Sequence, residues 1–398
     1  MTDINDIIEL HNLALEGNKK YVKKRLIFER LRKDTGKHFL GITGARGVGK
    51  SVLFKQMASE TENAIYISLD SVDFENLFET VKELNRDYRY NVFFLDEIHF
   101  YKNYERDLKR IFDFLDVKIF FTSSVSLSLV SSAYDLSRRV KIYNMFPFGY
   151  REYLWMKEDK LLPKLTLSKI RRKEFSTEHL RAGHLFKRYI KGEVMPFALE
   201  ETDVLGMCRN ILDKIIYRDI PSVADLKLNE LELIRKVLAF IGKSQIDGIS
   251  YSTLSNNLKI TKYKAEQYVK LLESAFVLNV ILPEGSNVLK EPKILMNLPF
   301  RLLYKEFDEA LGGLREDFFV ETMKMSGVET NYLKSKKGRK TPDYLVKTGT
   351  RKYIVEVGGK GKGVQQFKGI NLDKSIILTD NGDIRGIKRP LFLVGFLS

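Results

Sequence analysis

Eight consecutive residues constrain this chain more than any others: Gly44-Ala45-Arg46-Gly47-Val48-Gly49-Lys50-Ser51. They satisfy G-x-x-x-x-G-K-[ST], they follow the apolar run His38-Phe39-Leu40-Gly41-Ile42-Thr43, and they precede Val52-Leu53-Phe54-Lys55-Gln56-Met57, which is compatible with a helix. A glycine-rich loop between strand and helix curls its backbone N–H groups around a phosphate, and the helix N-terminus adds positive potential. The pattern assigns Gly44, Ala45, Arg46, Gly47, Val48, Gly49, Lys50, Ser51 and Val52 to nucleotide binding. Lys50 is expected to bridge the β- and γ-phosphates, and the Ser51 hydroxyl to reach Mg²⁺.

Mg²⁺ keeps several waters and leans on few protein ligands, so an acidic residue is expected at the end of a neighbouring strand. Val92-Phe93-Phe94-Leu95 leads into Asp96-Glu97. Asp96 is the candidate for the Mg²⁺ shell and Glu97 for polarising the attacking water. Alone, such a strand also reads as an ordinary sheet end with solvated acids, and it is the complete phosphate loop that favours the chemical reading. Further apolar runs at 64–69 and 118–122 alternate with helical segments, which predicts a parallel α/β sheet. Phe121-Thr122-Ser123-Ser124 ends a strand in hydroxyls. Ser124 is therefore a candidate to sense the γ-phosphate or orient water, with a plain strand-to-helix turn as the alternative. Arg138 and Arg139 are candidate arginine fingers, in cis or across an oligomer interface. The five histidines, His11, His38, His99, His179 and His184, show no ligand spacing and are expected to be structural.

At 398 residues the chain exceeds what one core usually serves. Four segments are expected: a phosphate-loop core with an N-terminal helix at 1–149, a helical lid or linker at 150–228, a winged helix at 229–285, and a small α/β domain at 286–398. The winged helix rests on the order helix, helix, helix, strand. In it Thr261 caps a helix that buries Ala265, Val269 and Leu272 and turns Lys262, Gln267 and Lys270 outward. Lys plus Arg exceed Asp plus Glu by 67 − 52 = 15, an excess that favours polyanionic partners. Nucleic acid, DNA foremost, is the expected partner; acidic protein surface or phospholipid comes next, and a solvated basic face is the plain reading. Lys334-Ser335-Lys336-Lys337-Gly338-Arg339-Lys340, with five basic residues in seven, suits either phosphate contact or a hairpin tip. A single cysteine, Cys208, a start unlike a signal peptide, and no apolar run near ~20 residues predict a cytoplasmic protein without a membrane segment.

The order of the phosphate loop, Leu95-Asp96-Glu97-Ile98-His99, Thr122-Ser123-Ser124, Leu136-Ser137-Arg138-Arg139 and Phe146-Pro147-Phe148-Gly149-Tyr150-Arg151-Glu152-Tyr153-Leu154 resembles a prokaryotic AAA-type ATPase family. In that family the ATPase is followed by a winged helix and a restriction-endonuclease-like domain. The resemblance continues at Tyr217-Arg218-Asp219-Ile220 and Glu316-Asp317-Phe318-Phe319-Val320-Glu321, and so spans nearly the whole chain. It implies ATP and Mg as cofactors; ATP over GTP rests on it and on the lack of an obvious Asn-Lys-x-Asp motif. For the C-terminal domain it implies a metal site of Asp343 and Glu356, with Glu321 as a third carboxylate. Gly358 stands where the lysine of that pattern would, Lys360 lies two residues on, and Gln365 and Gln366 resemble the polar positions after it. Two functions stay open: an ATPase coupled to DNA binding, or a nucleotide-dependent signalling or defence switch that docks a protein partner and carries a degenerate nuclease-like domain. A homo-oligomer suits both.

Overall fold

In the computed structural model, which describes residues 3–71, 75–126, 136–244, 248–285, 291–334, 341–359, 361, 363–380 and 382–398, the chain forms two units. Unit 1 comprises Met1–Phe146 and Tyr217–Asp225; unit 2 comprises Pro147–Ile216 and Leu226–Ser398.

Unit 1 runs α1 (Ile4–Asn18), α2 (Ile27–Arg32), β1 (Phe39–Thr43), α3 (Lys50–Ser59), β2 (Ala64–Ser68), α4 (Leu77–Tyr88), β3 (Val92–Asp96), α5 (Tyr104–Phe114), β4 (Lys118–Ser123) and β5 (Val140–Asn144). The five strands order as β2-β3-β4-β1-β5, and every neighbouring pair is parallel. The continuous apolar runs of β1, β3 and β4 suit strands covered on both faces. Ile65, Ile67, Phe93, Leu95, Ile119 and Phe121 meet the helical stripes Leu77, Val81, Leu84 and Leu108, Ile111 in one core. The strand not foreseen is β5, an edge strand that buries only Tyr143 and therefore lacks the apolar signature of its neighbours. Residues 19–26 carry no helix. Instead they run along α3, where Gln56 Nε2 donates to Tyr21 O (2.7 Å) and Lys23 O (3.1 Å).

The register gathers the chemistry at one end of the sheet. Ser68 lies opposite Asp96, and Thr43 opposite both Ser123 and Asn144. Carboxyl ends of parallel strands are where open α/β sheets place ligands. Gly44 is there for lack of space: a Cβ on it would lie 2.0 Å from Met145 O, a backbone atom that cannot rotate aside. Gly49 caps α3 at φ +89°, a left-handed conformation that glycine adopts without strain.

Unit 2 begins with short helices, α6 (Tyr150–Glu158), α7 (Leu167–Arg172), α8 (Thr177–Arg181), α9 (Phe186–Arg188) and α10 (Val204–Lys214). The chain then returns to unit 1 through α11 (Ile220–Val223). Back in unit 2 come α12 (Leu228–Lys243), α13 (Tyr251–Leu258) and α14 (Lys262–Ser274), then β6 (Leu278–Ile281) antiparallel to β7 (Lys293–Met296). Ser250 and Thr261 cap α13 and α14 by accepting from Thr253 N and Lys264 N. Next is α15 (Phe307–Met325), followed by β8 (Glu329–Tyr332), β9 (Tyr344–Thr348), β10 (Arg351–Gly358), β11 (Ser375–Thr379) and β12 (Lys388–Pro390). These five strands order as β12-β11-β10-β9-β8, antiparallel from β8 to β10 and parallel from β10 to β12.

Aromatic packing joins the early helices of unit 2 to its C-terminal part. Tyr150 lies edge-on to Tyr189 (5.1 Å between centroids) and Phe396 (5.8 Å), and Phe186 edge-on to Phe318 (4.8 Å). Two motifs of the sequence are thereby packing motifs: Phe146–Leu154 supplies buried Tyr150 and Tyr153, and 316–321 supplies buried Phe318 and Phe319. Where α15 meets the β6–β7 ladder lies a charged pair. Asp317, with no exposed surface, accepts from Arg301 Nε (2.5 Å), Arg301 Nη2 (2.8 Å) and Met296 N (3.1 Å). Removing one partner of such a pair strands the other charge in the interior. Asp317→Ala should therefore destabilise unit 2 by about 3–5 kcal/mol, and Arg301→Lys should cost part of that because an ammonium lacks the two-pronged geometry. Urea unfolding of both variants checks this; losses of only a few tenths of a kcal/mol would contradict it.

Candidate nucleotide-binding site

Lys50 opens α3 and is 4% exposed. Its Nζ donates to Gly44 O (2.8 Å) and Ala45 O (3.2 Å) and lies 3.7 Å from Glu97 Oε1, so the ammonium sits inside the curl of the loop. The loop is braced from outside. Arg25, the last residue of the basic stretch that begins at Lys19, donates from Nη1 to Val48 O (2.5 Å) and from Nη2 to Phe146 O (2.9 Å). Gly44 N donates to Ser123 O (3.2 Å), which joins the loop to the end of β4.

Asp96 ends β3 with 2% exposure. Its Oδ2 accepts from Tyr66 OH (2.7 Å), its Oδ1 from the Thr122 hydroxyl, and Ser51 adds a side-chain hydrogen bond. Burial and then the neighbouring Glu97 charge push its pKa up, against the lowering effect of these three donors. Ser51 and Asp96 thus present adjacent oxygens, a hard and sparse donor set of the kind Mg²⁺ takes while keeping most of its waters. Glu97 has φ 55° and ψ 52°, a left-handed conformation costing roughly 1–3 kcal/mol for a residue with a side chain. Two bonds hold it there: its N donates to Thr122 Oγ1 (2.9 Å), and its Oε2 accepts from Ser124 N (2.9 Å). The result is a carboxylate turned back over the strand end, beside Lys50.

Two further residues complete the site. His99, expected to be merely structural, is buried with Nδ1 3.3 Å from Glu97 Oε2 and 3.2 Å from Ser123 Oγ, and Nε2 3.3 Å from Ser124 Oγ. Its position two residues after Glu97, in the helical turn Ile98–Phe100, was the available signal. Burial pushes its pKa down to about 4, with Lys50 and Arg46 adding to the effect and Asp219 opposing it. Asp219, which stands in the motif Tyr217-Arg218-Asp219-Ile220 without an assigned role, comes from 173 residues beyond Arg46 and takes that guanidinium at both oxygens, Nε to Oδ2 at 2.9 Å and Nη2 to Oδ1 at 2.6 Å. It also accepts from Ser124 Oγ (3.2 Å). Ser124 is thus inside the site, fully buried, joined to Glu97, His99 and Asp219. Of the two candidate fingers, Arg138 is exposed, and Arg139 is held by Asp113 (2.9 and 3.2 Å).

In unit 2, Asp343 Oδ2 accepts from Val357 N (2.8 Å), and Gln366 Nε2 donates to Glu356 Oε1 (2.9 Å). Burial, then Glu356 and Glu316, push the Asp343 carboxyl up to about 7. Glu321 faces elsewhere: its Oε2 accepts from Leu298 N (2.9 Å), and burial raises it to about 8. The acid beside Asp343 from α15 is instead Glu316, which binds Lys293 and accepts from Tyr344 OH (2.5 Å). Lys293, Arg315, Glu316, Asp343 and Gly358 line a cleft of about 360 Å³. Among the described residues no group of three or more Asp, Glu, His or Cys side chains is arranged to hold a metal. Lys360 and residues 335–340 of the basic run lie outside the described residues. On α14, Lys262 pairs with Glu291, Lys264 with Glu230 (3.4 Å) and Lys270 with Glu266 (2.7 Å).

Residues 36–154 match the AAA domain family. This stretch is similar to AAA domains. Its phosphate loop, Asp96, Glu97, His99 and Ser124 fall inside the match, and Asp219 falls outside it. The AAA domain and the loop geometry make this a nucleotide-binding ATPase unit of the P-loop class. Residues 186–297 match a domain of unknown function, DUF8612. The chain is 27% identical over 443 aligned positions to the uncharacterized protein MJ1637 of Methanocaldococcus jannaschii, covering 97% of this chain and 92% of the relative. Among solved structures it is similar to the Aeropyrum pernix ORC1 protein in complex with DNA, at 13% identity and TM-score 0.31 over 77% of this chain and 92% of that one. It is likewise similar to AMPPCP-bound DnaA from Aquifex aeolicus, at 16% identity and TM-score 0.28 over 62% and 86% of the two chains. The S. cerevisiae Hsp104-ADP complex shows 18% identity and TM-score 0.32 over 66% and 41%. No described helix is long and apolar enough to cross a membrane.

The depressed His99 pKa makes the AAA domain acid-sensitive. Between about 4, its folded value, and 6.5, its ordinary one, the unfolded chain holds a proton on His99 that the folded chain does not. Stability therefore falls as pH drops through that window and is fully present above it, an effect of roughly 3 kcal/mol at ~1.4 kcal/mol per pKa unit. Urea unfolding of unit 1 between pH 7 and 4 should show this slope in the wild type and a shallower one in His99→Gln. Equal slopes would remove His99 from the account.

Proposed function

We propose that this chain hydrolyses ATP with Mg²⁺ at its AAA domain and couples nucleotide state to the binding of DNA by unit 2. The observation that carries the reading is the Lys50 ammonium inside the phosphate loop, 3.7 Å from Glu97 Oε1, with Ser51 hydrogen-bonded to Asp96. Lys50 and the loop amides bind and orient the β- and γ-phosphates. Ser51 and Asp96 hold Mg²⁺, which when bound neutralises phosphate charge. Glu97 accepts a proton from, or orients, the attacking water, and Ser124 N and neutral His99 fix its carboxylate. Arg138 or Arg139 acts as a finger across a homo-oligomer interface, and for Arg139 this requires leaving Asp113 of its own chain.

In unit 2 we assign residues 229–285 to a winged helix and 286–398 to an endonuclease-like domain, preceded by a helical lid or linker at 150–228 of which Tyr217–Asp225 return to unit 1. The order α12, α13, α14, β6, β7 supports the first, and the mixed sheet, with Asp343 just before β9 and Glu356 on β10, supports the second. We read the second as a binding module: Glu321 faces away from Asp343 and Glu356 and Gly358 stands where the pattern has a lysine, so no cleavage step is derived. The excess of 15 positive charges supports DNA as the partner and a cytoplasmic setting suits it. A protein-docking switch is favoured by one observation, the ion pairing of Lys262, Lys264 and Lys270 within the chain.

Steady-state hydrolysis with wild type, Lys50→Ala and Glu97→Gln tests the reading. Both substitutions should lower turnover by roughly 100-fold or more. Duplex DNA should stimulate the wild type, less so as salt rises from about 50 to 200 mM. Turnover lost in both variants but indifferent to DNA would transfer the conclusion to the switch; turnover intact in both would sink the site.

A further inference from the structure

Asp219 reaches the nucleotide site on a short segment with an unusual chain path. Residues Tyr217–Asp225 belong to unit 1, yet the chain enters them from Ile216 and leaves them through Leu226, both in unit 2. Several contacts hold the segment. Arg218 lies over the Phe100 ring (4.6 Å), α11 packs against the turn Ile98–Phe100, and Asp219, with no exposed surface, forms the two-pronged pair with Arg46. Only the last involves the phosphate loop itself, since Arg46 is its third residue.

We propose that Asp219 is a positioning residue of the nucleotide site through which nucleotide binding is passed to unit 2: a triphosphate competes for Arg46, and Asp219, deprived of its counter-ion, lets Tyr217–Asp225 come away. This rests on the nucleotide-binding reading of the loop. The chemistry is a contest between anions for one guanidinium. Asp219 occupies the Nε and Nη2 of Arg46 with a single negative charge, and a triphosphate brings several charges and many acceptors to the loop that carries this side chain. Once Arg46 turns to phosphate, Asp219 keeps the Ser124 hydroxyl (3.2 Å) but loses its two-pronged counter-ion, and the Glu97 carboxylate shares the site. A fully buried carboxylate in that setting is strongly unfavourable. Within the segment Ser222 Oγ donates to Asp219 O (2.6 Å) and Ala224 N to Ile220 O (3.0 Å). Its two covalent continuations then carry the change into unit 2.

Hydrogen exchange of the full chain, with Mg²⁺ and with or without AMPPCP, tests this. In the wild type AMPPCP should slow exchange at 44–52 and speed it at 217–225 by about 10-fold or more. Protection at 44–52 with 217–225 unchanged or slowed overturns the proposal and leaves the nucleotide site standing. No change at either segment removes the nucleotide reading and the proposal with it. Asp219→Asn, which withdraws the competing charge, should already exchange fast at 217–225 without nucleotide and should bind AMPPCP several-fold tighter, because Arg46 is released to the phosphate. A merely structural Asp219 would bind it more weakly when substituted, and weaker binding in a variant that still protects 44–52 with AMPPCP overturns the proposal. Arg46→Lys keeps the charge without the fork; it should respond to AMPPCP at 44–52 while its 217–225 exchange is fast in both states, and a wild-type response there counts against the mechanism.

Discussion

The nucleotide site depends on keeping one ammonium and two carboxylates buried side by side at the ends of parallel strands. Each charge is tolerable only because its oxygens or protons are spoken for: Lys50 by the Gly44 and Ala45 carbonyls, Asp96 by Tyr66, Thr122 and Ser51, Glu97 by Ser124 N and His99. A buried polar group left unsatisfied costs more than a satisfied one contributes, so the network constrains its members jointly. That is why Thr122 serves twice, donating to Asp96 and accepting from Glu97 N, and why Glu97 sustains a left-handed backbone.

The braces on the loop come from sequence positions far apart. Arg25 grips the Val48 carbonyl from the N-terminal stretch, and Asp219 grips Arg46 from beyond the AAA match. Basic residues that look like a solvated run in sequence thus include one with a fixed mechanical task. Two-pronged guanidinium contacts suit such braces because they define orientation as well as distance.

How much was legible can be argued residue by residue. The loop, its strand and helix, and the Asp96-Glu97 strand end were legible because short-range rules govern them: a strand–loop–helix pattern and a strand terminating in acids. So were α12 to α14, with the cap Thr261 announcing the start of α14. β5 was not, because an edge strand that buries one side chain has no apolar pattern to read. His99 and Asp219 escaped for another reason, since a neutral histidine and a lone aspartate acquire chemistry only from what packs on them. In the C-terminal sheet the helix carboxylate near Asp343 turned out to be Glu316 rather than Glu321, five residues and more than a helical turn away, a distinction that depends on how α15 is rotated against β10.

By itself the sequence determined the class of the site, since glycines, a lysine and a hydroxyl at fixed spacing can form a phosphate cradle through backbone geometry alone. It also marked the two motifs around Tyr150 and Phe318 through their resemblance to a family, whereas their role as buried packing came from the structure. The tertiary structure decided which polar side chains share the site, how Glu97 is aimed, and that Asp219 closes on Arg46. Those outcomes rest on desolvation and on hydrogen bonds between residues as many as 173 positions apart, and no local pattern encodes either.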